Sequence, residues 1–97
     1  MKTPEQILRE IQTIATMERG TLCTMKRGAY FNHQTWREGR NHVRYVARDA
    51  VPALRDALAG YRRFHRLTEE YAEAIIQRSR AARTASQPSQ RPRLRKI

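Results

Sequence analysis

Ninety-seven residues, 39% of them hydrophobic and 30% charged, allow one domain with a modest core and argue against a deep catalytic cleft. No apolar run approaches the roughly 20 residues of a membrane-spanning helix, no apolar stretch follows Lys2 as in a signal peptide, and Cys23, the single cysteine, excludes an intrachain disulfide. The net charge of +11 points instead to an acidic partner, and the expected location is the cytoplasm, at the nucleoid if that partner is DNA.

Thr3-Pro4-Glu5-Gln6 reads as a helix start: Thr3 caps, Pro4 suits the first helical position and Gln6 closes a capping box. Ile7, Leu8, Ile11, Ile14, Ala15 and Met17 then recur at helical spacing, which predicts a helix over 3–18 ended by Gly20. From residue 21 the period falls to two. Runs at about 21–25, 30–36 and 41–46, separated by Lys26-Arg27-Gly28 and Arg37-Glu38-Gly39-Arg40, predict a three-stranded antiparallel meander.

With Glu38-Gly39 as a two-residue turn, Arg37 lies opposite Arg40, Thr35 opposite His42 and His33 opposite Arg44. One ribbon face then gathers those six residues, with Phe31 beside them. The other collects Tyr30, Trp36, Val43 and Tyr45, an aromatic surface suited to packing on a helix.

Asp49 is placed to cap a second helix, with Pro52 tolerated in its first turn. Val51, Leu54, Leu58, Tyr61, Phe64, Tyr71 and Ile75 form its stripe, with Leu67, Thr68, Ala72 and Ile76 at the margins. The pattern predicts a helix over about 50–83, longer than the first helix and sheet can cover. Its distal half is expected to project, fray or meet another chain. The expected fold class is therefore α+β: N-terminal helix, three-stranded antiparallel meander and long C-terminal helix in one domain over 1–83. A disordered basic tail is expected over 84–97.

Four segments, Gly20-Thr21-Leu22, Tyr30-Phe31 to Trp36, Gly39-Arg40 to Arg44-Tyr45-Val46, and Tyr61-Arg62-Arg63-Phe64, follow one another in this order. Over residues 17–66 this pattern resembles a family of short, largely uncharacterised prokaryotic proteins loosely labelled transposase-related. The resemblance implies this fold and a mobile-element context. Many of those relatives place a cysteine cluster between the first two strands; here Cys23 stands alone, so no metal role carries over.

The charge is partitioned. Residues 78–97 hold seven cations and no acid, and residues 19–48 hold seven cations against Glu38 alone, while the remainder is nearly balanced. Two basic surfaces of this kind are the footprint of a nucleic-acid binder. A two-stranded ribbon can enter a major groove, where arginine pairs with guanine. Arg37, Arg40, His42, Arg44, His33 and Thr35 on the ribbon, with Lys26 and Arg27 at the neighbouring turn, are the expected contacts. The simpler alternative is a solvated outer sheet face. Arg78, Arg80, Arg83, Arg91, Arg93, Arg95 and Lys96 are expected to add salt-dependent, sequence-independent affinity. DNA is favoured over RNA.

Exposed aromatics on a sheet make a stacking platform for single-stranded bases. In so small a domain Tyr30, Trp36 and Tyr45 are assigned to the core instead, and Phe31, on the basic face, is the aromatic left open to stacking. Cys23, His33, His42 and His65 form no close pair of the kind zinc sites use, so neither metal nor cofactor is expected. Nor is an enzyme: Glu69, Glu70 and Glu73 near Arg66 read as helix-surface pairing, and no phosphate loop or nucleophile motif is present. The alternative function is a protein-interaction adaptor, using the stripe around residues 71–76 to form a homodimer or hold a partner protein. Membrane binding is not expected, because the basic stretches lack an apolar insertion face.

Overall fold

The computed structural model describes residues 1–85, so the basic cluster Arg91, Arg93, Arg95 and Lys96 lies outside the described residues. The architecture is α+β. Helix α1 (Pro4–Gln12) precedes strands β1 (Thr21–Met25), β2 (Tyr30–Arg37) and β3 (Arg40–Val46). A 3-10 turn at Arg48–Ala50 then leads into helix α2 (Val51–Ala85).

The capping box forms at the start of α1. The Gln6 backbone amide donates to Thr3 Oγ1 at 3.1 Å, and the Thr3 amide donates to Gln6 Oε1 at 2.9 Å. The helix stops at Gln12 rather than continuing to residue 18. Thr13 closes it, with its hydroxyl donating to the Glu10 carbonyl at 2.6 Å, and the β-branched Thr13, Ile14 and Thr16 favour departure from the helix. Two long-range contacts complete the explanation. The Glu18 amide donates to the Ala57 carbonyl on α2 at 2.9 Å. The Thr16 carbonyl lies so close to Gly60 that a Cβ there would stand 2.0 Å from it.

The N-terminal segment therefore runs antiparallel along α2. Glu5 grips Arg78 through two hydrogen bonds of 3.1 Å. Glu10 pairs with Lys2 at 2.7 Å and with Arg63 at 3.7 Å, and Arg63 also donates to Thr13 Oγ1 at 3.1 Å. Farther along, Thr16 meets Gly60 and Glu18 meets Ala57. This path corrects the expectation for the distal half of α2, since α1 lies along it as far as Arg78. Leu67, assigned to a margin of the stripe, is its most buried member at 0% exposure, and the core otherwise consists of Ile7, Val46, Val51 and Leu58. Asp49 does not cap α2 but sits inside the 3-10 turn preceding it. The helix continues through Ala85, past the expected boundary.

The strands form one antiparallel sheet in the order β1-β2-β3. The β2–β3 register matches the sequence expectation: Arg37 faces Arg40, Thr35 faces His42 and His33 faces Arg44. Glu38 and Gly39 have φ of 54° and 75°, the left-handed pair that a type I′ hairpin turn requires. Gly20 immediately precedes β1 instead of ending α1. Its φ is +106°, and a Cβ there would meet the Gln34 carbonyl oxygen at 2.2 Å.

Gly60→Ala should destabilise the protein by about 1–3 kcal/mol, because overpacking against backbone outweighs the gain of up to about 1 kcal/mol in helix propensity. Thermal unfolding measures it; an unchanged or raised Tm would contradict the close crossing. The α1 carboxylates generate a pH dependence. Arg78 holds Glu5, and Lys2 holds Glu10, below the ordinary carboxylate range through hydrogen bonds. Both pKa values are depressed on folding, so their stabilisation is complete above about pH 4.3 and is lost as pH falls through the folded values. Tm of Glu5→Gln/Glu10→Gln should lie below wild type at pH 7 and converge on it in acid; a constant difference would contradict the pairing.

Candidate nucleic-acid interface

Alternation along the strands places Phe31, His33, Thr35 and Arg37 of β2 on one face with Arg40, His42, Arg44 and Val46 of β3 and with Leu22 and Thr24 of β1. This face has an apolar end and a polar end. At the apolar end Val46 is buried and its cross-strand neighbour Phe31 half-buried, next to the start of α2. Leu22 shares a cleft with Arg55, Leu58 and Arg62 of α2. Phe31 was the aromatic expected to be open for stacking. Instead the Arg48 guanidinium lies over its ring, 5.6 Å from the centroid, while donating to the Gly28 carbonyl at 3.1 Å.

The polar end is a groove of about 510 Å³, lined by His33, Thr35, Arg37, His42 and Arg44 with Glu18 and Arg19. Here the structure brings together five of the expected ligand-binding residues. His33 Nε2–H donates to the Arg19 carbonyl at 2.7 Å, an acceptor that fixes the tautomer, and Thr35 Oγ1 lies 3.4 Å from the same nitrogen. His42 Nε2–H donates to the Arg37 carbonyl at 3.3 Å. Arg19 is itself held from behind: its Nε donates to Tyr61 Oη at 3.1 Å, and Tyr61 Oη is hydrogen-bonded to His65 Nε2 at 3.0 Å. Arg19 was visible only as part of the basic stretch 19–48 and Glu18 not at all, because the strap between α1 and β1 brings them to the groove. Glu18 also places one carboxylate in an otherwise cationic site.

Among the described residues ion pairing is confined to the helical half, where Arg55 and Arg62 nonetheless have no carboxylate partner. The described ion pairs use Lys2, Arg63, Arg66 and Arg78, all outside the sheet. Lys26, Arg27, Arg37, Arg40 and Arg44 have no carboxylate partner among the described residues. Arg37 and Arg40 stand directly opposite each other. Lys26 and Arg27, at the β1–β2 turn, are held at φ of 49° and 57°, a conformation that disfavours residues with a Cβ.

The cations at the C-terminal end of α2 lie apart from this surface. Arg78 is clamped by Glu5 and so takes part in the α1–α2 packing. Arg78, Arg80 and Arg83 lie at the far end of α2, with Arg78 about 40 Å along the helix from Val51 at 1.5 Å per residue. The sheet and the helix end are separate basic regions.

The opposite sheet face overturns the core assignment of the aromatics. Trp36 is 71% exposed and Tyr45 63%, with Val43, Tyr30 and Met25 also exposed. Val46, Phe31 and Leu22, on the other face, supply the apolar side that meets the helix. Among the described residues no group of three His, Cys, Asp or Glu side chains is placed to hold a metal ion, and no helix is long and apolar enough to cross a membrane. The chain matches no protein-family profile, no curated protein and no solved structure.

The Arg37–Arg40 pair generates a stability prediction. Like charges directly opposite in an antiparallel pair destabilise it. Arg40→Glu should therefore raise stability by about 0.2–1 kcal/mol, with the gain shrinking as salt is added; a loss of stability in denaturant unfolding would contradict the cross-strand contact.

Proposed function

We propose that this protein binds nucleic acid without catalysing a reaction on it, using the sheet as its binding surface. The observation that supports this most strongly is the set of cations at Lys26, Arg27, Arg37, Arg40 and Arg44, which have no carboxylate partner among the described residues, whereas the described ion pairs, at Glu5, Glu10 and Glu70, all lie on the helices. A polyanion relieves their mutual repulsion and releases its own condensed counterions on binding. His33, Thr35 and His42 add hydrogen-bonding groups held at fixed positions, as expected where orientation as well as charge contributes.

DNA is the first ligand to test, and the resemblance to transposase-related proteins makes a mobile element the natural setting. The arginine-rich C-terminal residues Arg91, Arg93, Arg95 and Lys96 would add affinity shared by all sequences. Adaptor function through the long helix has less support, since α1 lies along the part of α2 that such a partner would need.

Anisotropy titrations at low and physiological salt test the proposal. Arg40→Glu/Arg44→Glu should lose at least tenfold in affinity and lower the magnitude of the salt slope by about 2, with Tm at or above that of wild type. Deleting residues 91–97 should weaken all nucleic acids alike. Wild-type affinity in the folded double variant would contradict the sheet assignment, and absence of binding at physiological salt would contradict the function.

A further inference from the structure

We infer that the exposed aromatic face of the sheet is a stacking platform for the bases of a single-stranded nucleic acid, with Trp36 and Tyr45 as its principal contacts. Single-strand binding presupposes the nucleic-acid function proposed above and specifies the form of ligand and the face it occupies. β2 presents Tyr30, Asn32, Gln34 and Trp36 on this face, and β3 presents Asn41, Val43 and Tyr45 beside them. Trp36, Tyr45 and Tyr30 are 71%, 63% and 49% exposed, and no described element lies over them. Tyr45 pairs with Asn32, four residues from Trp36 along β2. The two rings are therefore separated by about 13 Å along the strand at ~3.3 Å per residue, too far for one base and wide enough for a short run of nucleotides.

Between the aromatic ends lie amide side chains. Asn41 Nδ2 donates to Gln34 Oε1 at 3.3 Å, and Asn32 stands next along β2. Amides offer both donors and acceptors to the edges of unpaired bases. A duplex keeps its base faces stacked internally and cannot use this surface.

Charge selects the occupant. Lys26 and Arg27 flank the sheet at the β1–β2 turn, and Arg37, Arg40 and Arg44 lie on its opposite face, but the sheet is a single layer whose two faces lie within about a Debye length of ~8 Å at physiological salt. Their field therefore acts on a chain laid across the aromatic face. The same charge opposes a second copy stacked face to face, since each copy would bring an unpaired cationic sheet against another. A polyanion with planar bases satisfies both the aromatic surface and the cations around it.

Trp36 is the only tryptophan, so its fluorescence reports on this face directly. The experiment titrates the full chain with single-stranded DNA, single-stranded RNA, duplex DNA and inorganic polyphosphate, which lacks bases. Anisotropy and Trp36 emission are followed together at physiological salt. A single-stranded ligand should bind tightest and quench Trp36, and the stronger of the DNA and RNA arms identifies the sugar preferred. Trp36→Ala and Tyr45→Ala should each weaken that ligand by about tenfold or more, leave duplex binding unchanged, and retain the far-ultraviolet spectrum and Tm. Trp36→Phe should restore most of the affinity by restoring an aromatic face.

Single-strand binding without quenching, unaffected by either alanine variant, would overturn the platform while leaving nucleic-acid binding intact. Binding of none of the nucleic acids would overturn both. A blue shift of Trp36 emission with protein concentration alone would make a second copy the occupant and overturn the inference, as would quenching by an acidic protein or anionic vesicles with no response to single strands.

Discussion

A three-stranded sheet has two faces, and this protein has one layer of helix to put against them. Whichever face meets α2 takes the core, and the other remains in water. The choice falls on Leu22, Phe31 and Val46, whose apolar end joins Val51 and Leu58 near the start of α2. Tyr30, Trp36, Val43 and Tyr45 are left exposed. Burying an aromatic ring is worth about 2–3 kcal/mol, so an aromatic surface left wet in so small a protein is a substantial stabilisation forgone. Binding at that surface gives the arrangement a reason.

The N-terminal strap fixes the rest of the arrangement. Residues 4–18 follow α2 from Arg78 to Ala57, first as α1 and then as irregular chain tied to α2 where Gly60 admits the Thr16 carbonyl. That path delivers Arg19 to the sheet, where its carbonyl orients His33 and its guanidinium rests on Tyr61. The carboxylates Glu5 and Glu10 are used in this packing, while Lys26, Arg27, Arg37, Arg40 and Arg44 have no carboxylate partner among the described residues. Division of labour between an ion-paired helical half and a cationic sheet follows from that placement.

Local chemistry made much of the fold legible. The capping box at Thr3, the period-two strands and the Glu38-Gly39 turn are encoded over a few residues, so the β2–β3 register could be read from them. The end of α1 could not, because Ile14, Ala15 and Met17 continue a helical spacing that is overridden by contacts with the distant Ala57 and Gly60 on α2. Nor did alternation say which face is buried. Both faces carry large side chains, and the decision depends on how residues 47–50 turn the chain from β3 into α2. The same reason moved Phe31 beneath Arg48 and placed Trp36 in solvent. Among the basic residues, composition identified the two cationic regions, but only the tertiary pairing with Glu5 separated Arg78 from the rest.

The central claim is that this sheet, rather than the helical half, is where nucleic acid binds. A two-dimensional amide NMR titration with a short single-stranded oligonucleotide at physiological salt tests it most directly. The account predicts shifts concentrated in β2, β3 and the Trp36 indole NH, with α1 and the Arg63–Arg78 side of α2 unmoved. Shifts centred on α1 and the distal part of α2, with β2 and β3 unchanged, would contradict it.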